Sequence, residues 1–481
     1  MTHTPDEDRQ RWHVLWVCLA VGFITTLDVS IVNVALPSIE ESLGAGPTQL
    51  QLVVAGYTLA FGLALVPAGR LGDAGGRRRL FIAGLVGFAV FSLASGLAPD
   101  GTWLGVARLF QGVSAGLLNP QVVGLIQQLF AGAERGRAFG FFGATIGVST
   151  ALGPVLGGVI IALAGPEDGW RWVFLVNIPV IAVLLPFAWR LVPTAVVARG
   201  PRKLDAVGLA LLAVATVGVM LPFVTTTGVD DDPARWWWLA LGVGGAAVAV
   251  VWERRYQRRV GAAVLDPQVL GLASFRNGAL LGAAYFAGFT GIFLVVTLHL
   301  QDDVGYSPLQ AGLVGTPFAV ASGVSAWLSG RAVARWGRRL VVVGLGLVLA
   351  GTVAADLIVR TLGNEPGLVG PALAGALLVA GAGSGLVIAP NQTLALAHVP
   401  VGSAGVAGSM IQVGQRVGTA VGVSIVLSVY YGGLASGADG AAASGRAMLV
   451  TIGFVAVALV VGVVDLRSRR AEGRGTSPAG A

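Results

Sequence analysis

The sequence predicts an all-α polytopic membrane protein, and three observations carry that prediction. Of its 481 residues 55% are apolar and only 11% charged, with a mean hydropathy of +0.79, which excludes an ordinary soluble domain. Apolar runs of twenty or more residues recur along the whole chain, each long enough to cross ~30 Å of hydrocarbon. A glycine-rich cationic turn, Gly69–Leu80, is echoed at Gly330–Arg339. Aligning Gly69 with Gly330 also matches Arg70, Gly76, Arg77 and Arg78 with Arg331, Gly337, Arg338 and Arg339, at a constant offset of 261. A repeat of that length points to a duplicated helical bundle.

Fourteen spans are expected, near 12–36, 49–68, 80–98, 102–129, 138–164, 171–191, 205–226, 235–252, 276–299, 308–329, 339–359, 367–390, 403–431 and 445–465. Their orientation follows from charge. Placing both ends in the cytoplasm puts 25 of the 31 Lys and Arg inside, four outside and two, Arg108 and Arg416, within spans. The pI near 10.3 therefore reports topology and implies no nucleic-acid partner. The single cysteine, Cys18, lies in the first span and forms no internal disulfide. No cleavable signal peptide is expected, because the first apolar run is too long for one. Residues 1–11 and 467–481 read as frayed cytoplasmic tails.

The first span carries Asp28, about nine residues or roughly 13 Å from its outer end. A carboxylate at that depth faces a cavity or a partner; a structural hydrogen bond between helices is the plainer reading. The second and third spans flank the turn, whose arginines are expected to hold it at the cytoplasmic surface. Span four carries Arg108 about 9 Å deep, with Gln111 on the same helix face and Gly112 and Gly116 set for close contact. A structural clamp of arginine on backbone is the alternative there. Span five presents a small face, Gly143, Gly147, Ser149, Gly153, Gly157 and Gly158, with Pro154 removing one backbone donor and bending the helix. Trp170–Trp172 and Trp236–Trp238 read as outer interfacial belts. Residues 192–204 form a basic linker.

In the second half Tyr285, Phe286, Phe289 and Phe293 recur at helical spacing, for packing or for a lipophilic ligand. Too few ligand types converge near His299, Asp302 and Asp303 to propose a metal. Asp356 reads as a snorkelling residue. Span thirteen holds Gln412, Gln415 and Arg416, the last ~20 Å from the inner end and so in need of a partner or a cavity.

Together these stretches resemble the major facilitator superfamily, in its fourteen-span drug:proton antiporter branch. Gly69–Leu80 is similar to the turn between its second and third spans, Arg108–Gly116 to its span-four motif and Ser149–Gly158 to its antiporter motif, with Ser149 in place of a glycine. Leu27–Pro37, Trp170–Pro179, Leu204–Gly208 and Tyr306–Leu313 also resemble that branch, so the likeness covers roughly 12–466. The resemblance implies two six-helix bundles, 12–191 and 275–466, with two extra helices inserted in 192–274. It implies a monomer in the cell membrane that exports small lipophilic compounds by alternating access, driven by protons and without a cofactor. Asp28 and Arg108 would then couple the proton. Gly69, Gly72, Asp73, Gly76 and Arg77 would form an inner gate. Asn33, Gln111, Tyr285, Phe289, Phe293, Gln412, Gln415 and Arg416 would line the substrate cavity. A proton symporter or facilitator for a polar metabolite is the rival within transporters. A membrane-embedded enzyme is the remoter one, since four histidines and no paired nucleophile and base give it no machinery. A non-transporting sensor of the same fold is the third.

Overall fold

The computed structural model describes residues 5–475 apart from 166, 195–204, 226–231, 262, 265–266 and 364. Among them there is no strand. The first half comprises α1 (Pro5–Leu43), α2 (Pro47–Gln51), α3 (Tyr57–Leu71), α4 (Arg77–Gly96), α5 (Gly101–Leu129), α6 (Gly132–Ala164), α7 (Gly169–Leu175) and α8 (Asn177–Leu191). Next come α9 (Ala206–Val224), α10 (Trp236–Val260) and the short α11 (Pro267–Gly271). The second half comprises α12 (Ala273–Leu298), α13 (Pro308–Trp336), α14 (Arg338–Leu362), α15 (Pro366–Ala395), α16 (Ala404–Ala435) and α17 (Gly440–Gly475).

Thirteen helical runs among the described residues are long and apolar enough to cross a membrane. One of them, Thr48–Gly96, has 49 residues, far more than ~20 suffice for one crossing. It reverses at Gly75, whose φ of 109° only glycine adopts without strain. Counted as two passes, it brings the number to fourteen, and the protein is a multi-pass membrane protein. With an even number of passes the described ends, Pro5 and Gly475, lie on one side, here called the terminus side. The residues around Gly75, the start of α6 and the starts of α14 and α16 lie there too.

Several expectations need correction. The N-terminal helix already begins at Pro5, and α17 runs through Gly475, so neither tail is frayed over its described part; residues 1–4 and 476–481 lie outside the described residues. The linker cations Arg199, Arg202 and Lys203 lie outside them as well. Of the turn's arginines, Arg70 and Arg77 are buried against protein and Arg79 is exposed. Asp356 does not snorkel, because Arg360 one turn on pairs with it at 2.9 Å. Trp170 is fully buried in a core with Val173 and Phe174 rather than in a belt, whereas Trp172 and Trp236–Trp238 are exposed.

Two seams join the halves. α6 packs along α13, and α3 packs along α16. Glycines set both distances. A Cβ at Gly140 would lie 3.0 Å from the Ala326 carbonyl oxygen, and one at Gly330 2.8 Å from that of Gly136. Of the inserted pair, α9 touches both α3 and α16, and α10 packs on α9.

Candidate functional site

Asp28, on α1, is completely buried, and it is surrounded by donors. Arg108 Nη1 donates to its Oδ2 at 2.5 Å, and Gln111 Nε2 and Asn177 Nδ2 donate to its Oδ1 at 2.9 Å each. Asn177 and Gln111 also reach Ser92 Oγ, at 2.9 and 3.2 Å. Three helices, α1, α5 and α8, thus meet on one carboxylate, and α4 joins through Ser92, which both amides reach. Such a set of acceptor-only contacts suits the ionised form, since a protonated carboxyl must itself find an acceptor. Arg108 is held from its other faces. It donates to Gln111 Oε1 at 2.9 Å, and its guanidinium lies 4.1 Å from the centre of the Tyr57 ring. Breaking a buried pair of this kind by removing one partner costs about 3–5 kcal/mol.

The sequence supplied Asp28, Arg108 and Gln111 but not Asn177 or Ser92. Asn177 sits in the Trp170–Pro179 stretch, where its signal was an amide within an apolar run, at the break between α7 and α8. Ser92 had no signal, because a mid-span serine ordinarily bonds the carbonyl of its own preceding turn.

A second polar constellation closes the terminus side. Asp73 accepts from the backbone N–H of Gly405 at 3.0 Å and of Val406 at 2.9 Å, in the first turn of α16. A helix N-terminus offers unpaired N–H groups and a positive dipole end, so it is a natural anion anchor. Arg77 pairs with Asp73 at 2.5 Å and reaches the Val401 carbonyl at 3.4 Å. Gly69 makes the approach possible: a Cβ there would stand 2.5 Å from Ser409 Oγ and 2.7 Å from the Gly405 carbonyl oxygen. Gly72 packs on Gln121, and Gly76 on the Leu71 carbonyl. Across the same side Gln127 Nε2 donates to the Leu396 carbonyl at 3.2 Å. Ser409 Oγ donates to that of Leu65 at 2.7 Å.

The repeat has no equal latch. Where the first copy has Asp73 the second has Ala334. Arg338, the counterpart of Arg77, turns into its own half, bonding Asp465 and Asn391 at 2.5 Å each. Asn277 completes that cluster by donating to Asp465 at 2.8 Å.

The small face of α6 meets α1 beside Asp28. A Cβ at Gly153 would lie 2.5 Å from that of Ser30, and one at Gly157 3.0 Å from Ile31 Cγ1. Ser30 Oγ donates to the Thr150 carbonyl at 2.8 Å. Ser149 is buried and bonds the Ile146 carbonyl, and α6 continues through Pro154. Gly158 faces open space. Replacing Gly153 with leucine should therefore prise α1 from α6 and lower the melting temperature of the purified protein, while Gly158→Leu leaves it near wild type. Thermal unfolding of both variants tests this, and equal effects would show that the face does not act through close packing.

The remaining residues are more scattered. Tyr285 is buried within the second half, donating to Ser384 at 2.8 Å. Phe289 and Phe293 are half-buried and cluster with Phe318, at 5.6 and 4.8 Å between ring centres. Asn33 is exposed on α1, and Gln412 and Gln415 are half-buried on α16. Arg416 lies over the ring of Phe61, 4.5 Å from its centre. Among the described residues no three His, Cys, Asp or Glu are grouped to hold a metal.

Comparison with known proteins adds the following. The profile of the Major Facilitator Superfamily matches residues 18–423 and 278–480. A Streptomyces coelicolor protein described as "Probable actinorhodin transporter" is 34% identical over 460 residues, covering 93% of this chain and 78% of that protein. A "Tetracenomycin C resistance and export protein" from Streptomyces glaucescens is 32% identical over 434 residues, covering 89% and 77%. The solved structure of the proton:xylose symporter XylE superposes with a TM-score of 0.68 at 14% identity, covering 94% of this chain and 95% of XylE. At that identity it speaks to the fold alone.

Proposed function

The chain belongs to the major facilitator superfamily, and is thus a transporter and not an enzyme; from that premise we propose that it is a proton-coupled exporter of lipophilic antibiotics or related secondary metabolites. One observation carries the coupling: a carboxylate wholly inside a bundle, surrounded by three side-chain donors. The direction is drawn from relatives whose described roles are antibiotic transport, resistance and export.

The working cycle follows from the two seams. The bundles 12–191 and 275–466 rock against each other as a monomer, with the inserted pair between them in sequence. In the state described here Asp73 ties the halves together at the terminus side, and with that side taken as cytoplasmic this supports reading it as the outward-facing state. Asp28, wholly buried in it, exchanges its proton as the bundles rock. α6 touches the Asp28 helix on one face and α13 on another, so a change at Asp28 is transmitted to the seam through Gly153 and Gly157. The proton gradient is the energy source, and no cofactor enters the cycle.

The test is efflux of an antibiotic panel from an efflux-deficient host, with and without a protonophore. Efflux that collapses with the gradient supports the reading, and efflux indifferent to the gradient sinks it. Topology has its own test. The charge bias puts both ends in the cytoplasm, so reporters fused to either end should be active only inside; an outside signal from either one overturns the orientation.

A further inference from the structure

Arg416 is the cation in the membrane interior that the coupling site and the latch leave unused. It lies twelve residues into α16 from the terminus side, ~18 Å deep at 1.5 Å per residue. Arg77, Arg108 and Arg338 each pair with a carboxylate at 2.5 Å. Arg416 makes no ion pair with any described residue. It lies over the Phe61 ring across the α3–α16 seam. A cation–π contact is weak beside the cost of holding a guanidinium at that depth, so the ring alone leaves it under-compensated.

Its neighbours repeat the theme. Phe61 stacks with Tyr57, 6.3 Å between centres and 20° between planes, and Tyr57 in turn covers Arg108. The order across the seam is thus Arg108, Tyr57, Phe61, Arg416. Two guanidiniums face two rings, and one carboxylate, Asp28, is already bound to Arg108. The Tyr57 hydroxyl is buried and has no hydrogen-bond partner among the described residues, so it is a donor in waiting on the same seam. One turn beyond Arg416, Thr419 Oγ1 lies 3.3 Å from Thr290 Oγ1 on α12. That contact brings the ring cluster of Phe289 and Phe293 alongside.

We propose that Arg416 is the counter-charge for the substrate, which is an aromatic acid: a flat apolar ring system bearing a carboxylate or ionised phenol. The inference rests on the export reading and narrows it. Guanidinium binds carboxylate through two parallel charge-assisted hydrogen bonds, a fork that a neutral hydroxyl matches poorly. A cationic compound would meet the positive charge of Arg416, while Asp28, the carboxylate on the same seam, is already bound to Arg108.

Three naphthalene probes of one size test it: 1-naphthoate, 1-naphthalenemethanol and 1-naphthylmethylammonium, binding to the purified full chain in nanodiscs. Wild type should bind the carboxylate at least about tenfold tighter than the other two, the scale of a 1.4 kcal/mol difference. Arg416→Gln should shrink that preference to within about twofold while leaving the alcohol unchanged, and Arg416→Lys should retain part of it. The proposal is overturned if wild type binds none, binds the three alike or prefers the ammonium. It is equally overturned if Arg416→Gln weakens all three equally, as a purely structural residue would. Binding is read without any proton gradient. A failure here is therefore separable from a failure of the export reading, which appears as efflux indifferent to a protonophore.

Discussion

Asp28→Asn is expected to abolish substrate-driven proton movement while the protein still inserts and still binds substrate. The reason lies in hydrogen-bond accounting. Asp28 accepts from Arg108, Gln111 and Asn177 at once, through two oxygens. Asparagine offers one acceptor oxygen and turns an NH2 group toward donors that cannot receive it. It therefore stands in for the protonated carboxyl and cannot leave that state. If the cycle turns on loading and unloading this group, the variant is held at one step. Proton flux into proteoliposomes should fall below about a tenth of wild type, a loss that ~1.4 kcal/mol already produces. Since the change also strips Arg108 of its counter-ion, the double variant Asp28→Asn/Arg108→Gln provides the control. It removes both charges, should recover thermal stability lost in the single variant, and should still move no protons. Undiminished proton movement in Asp28→Asn would remove Asp28 from the mechanism and turn attention to Asp302 and Asp303.

Asp73→Asn should open the latched side. The carboxylate receives two backbone N–H groups of α16 and the Arg77 guanidinium, and this set ties the first half to the second through a single side chain. A hydrogen bond to a charged group contributes about 1.5–3 kcal/mol, so loss of the charge shifts the balance of states by roughly ten- to a hundredfold. Spin labels at the exposed Ala131 and Val401, one on each half, report it. The variant should populate a longer distance that wild type does not, and export should fall because the closed state is under-populated. Gly69→Leu provides a second route to the same end by bulk, since its side chain meets Ser409 and the Gly405 carbonyl. Identical distance distributions in wild type and both variants would rule out a latch here.

Much of this was legible in the chain itself. Hydrophobic runs near twenty residues fix the passes, because a backbone in hydrocarbon must satisfy its own hydrogen bonds and helices do so within the segment. Asp28, Arg108 and Arg416 stood out for the same reason: charge in that solvent is expensive enough to show against an apolar background. The turn was visible too, since glycines and arginines interrupt the hydrophobic run. Which glycine reverses the chain was not, because Gly72, Gly75 and Gly76 are alike in sequence and only the φ of Gly75 separates them.

The tertiary structure decided the partners. Depth along a helix suggested Asp28 with Arg108, but Asn177 and Ser92 join them only because α4 and α8 happen to face the same point, which no local pattern encodes. Asp73 finds backbone N–H groups of α16 more than three hundred residues away, and donors of that kind carry no side-chain signature at all. The Arg338–Asp465 pair turns one copy of the repeat inward while Arg77 faces the seam, so two nearly matching stretches do different work. The sequence by itself determined what had to be compensated, because a charge set deep in an apolar run is costly whatever its neighbours in the chain. The fold alone determined by what, because compensation depends on distance and direction, and those are set by how helices far apart in sequence pack.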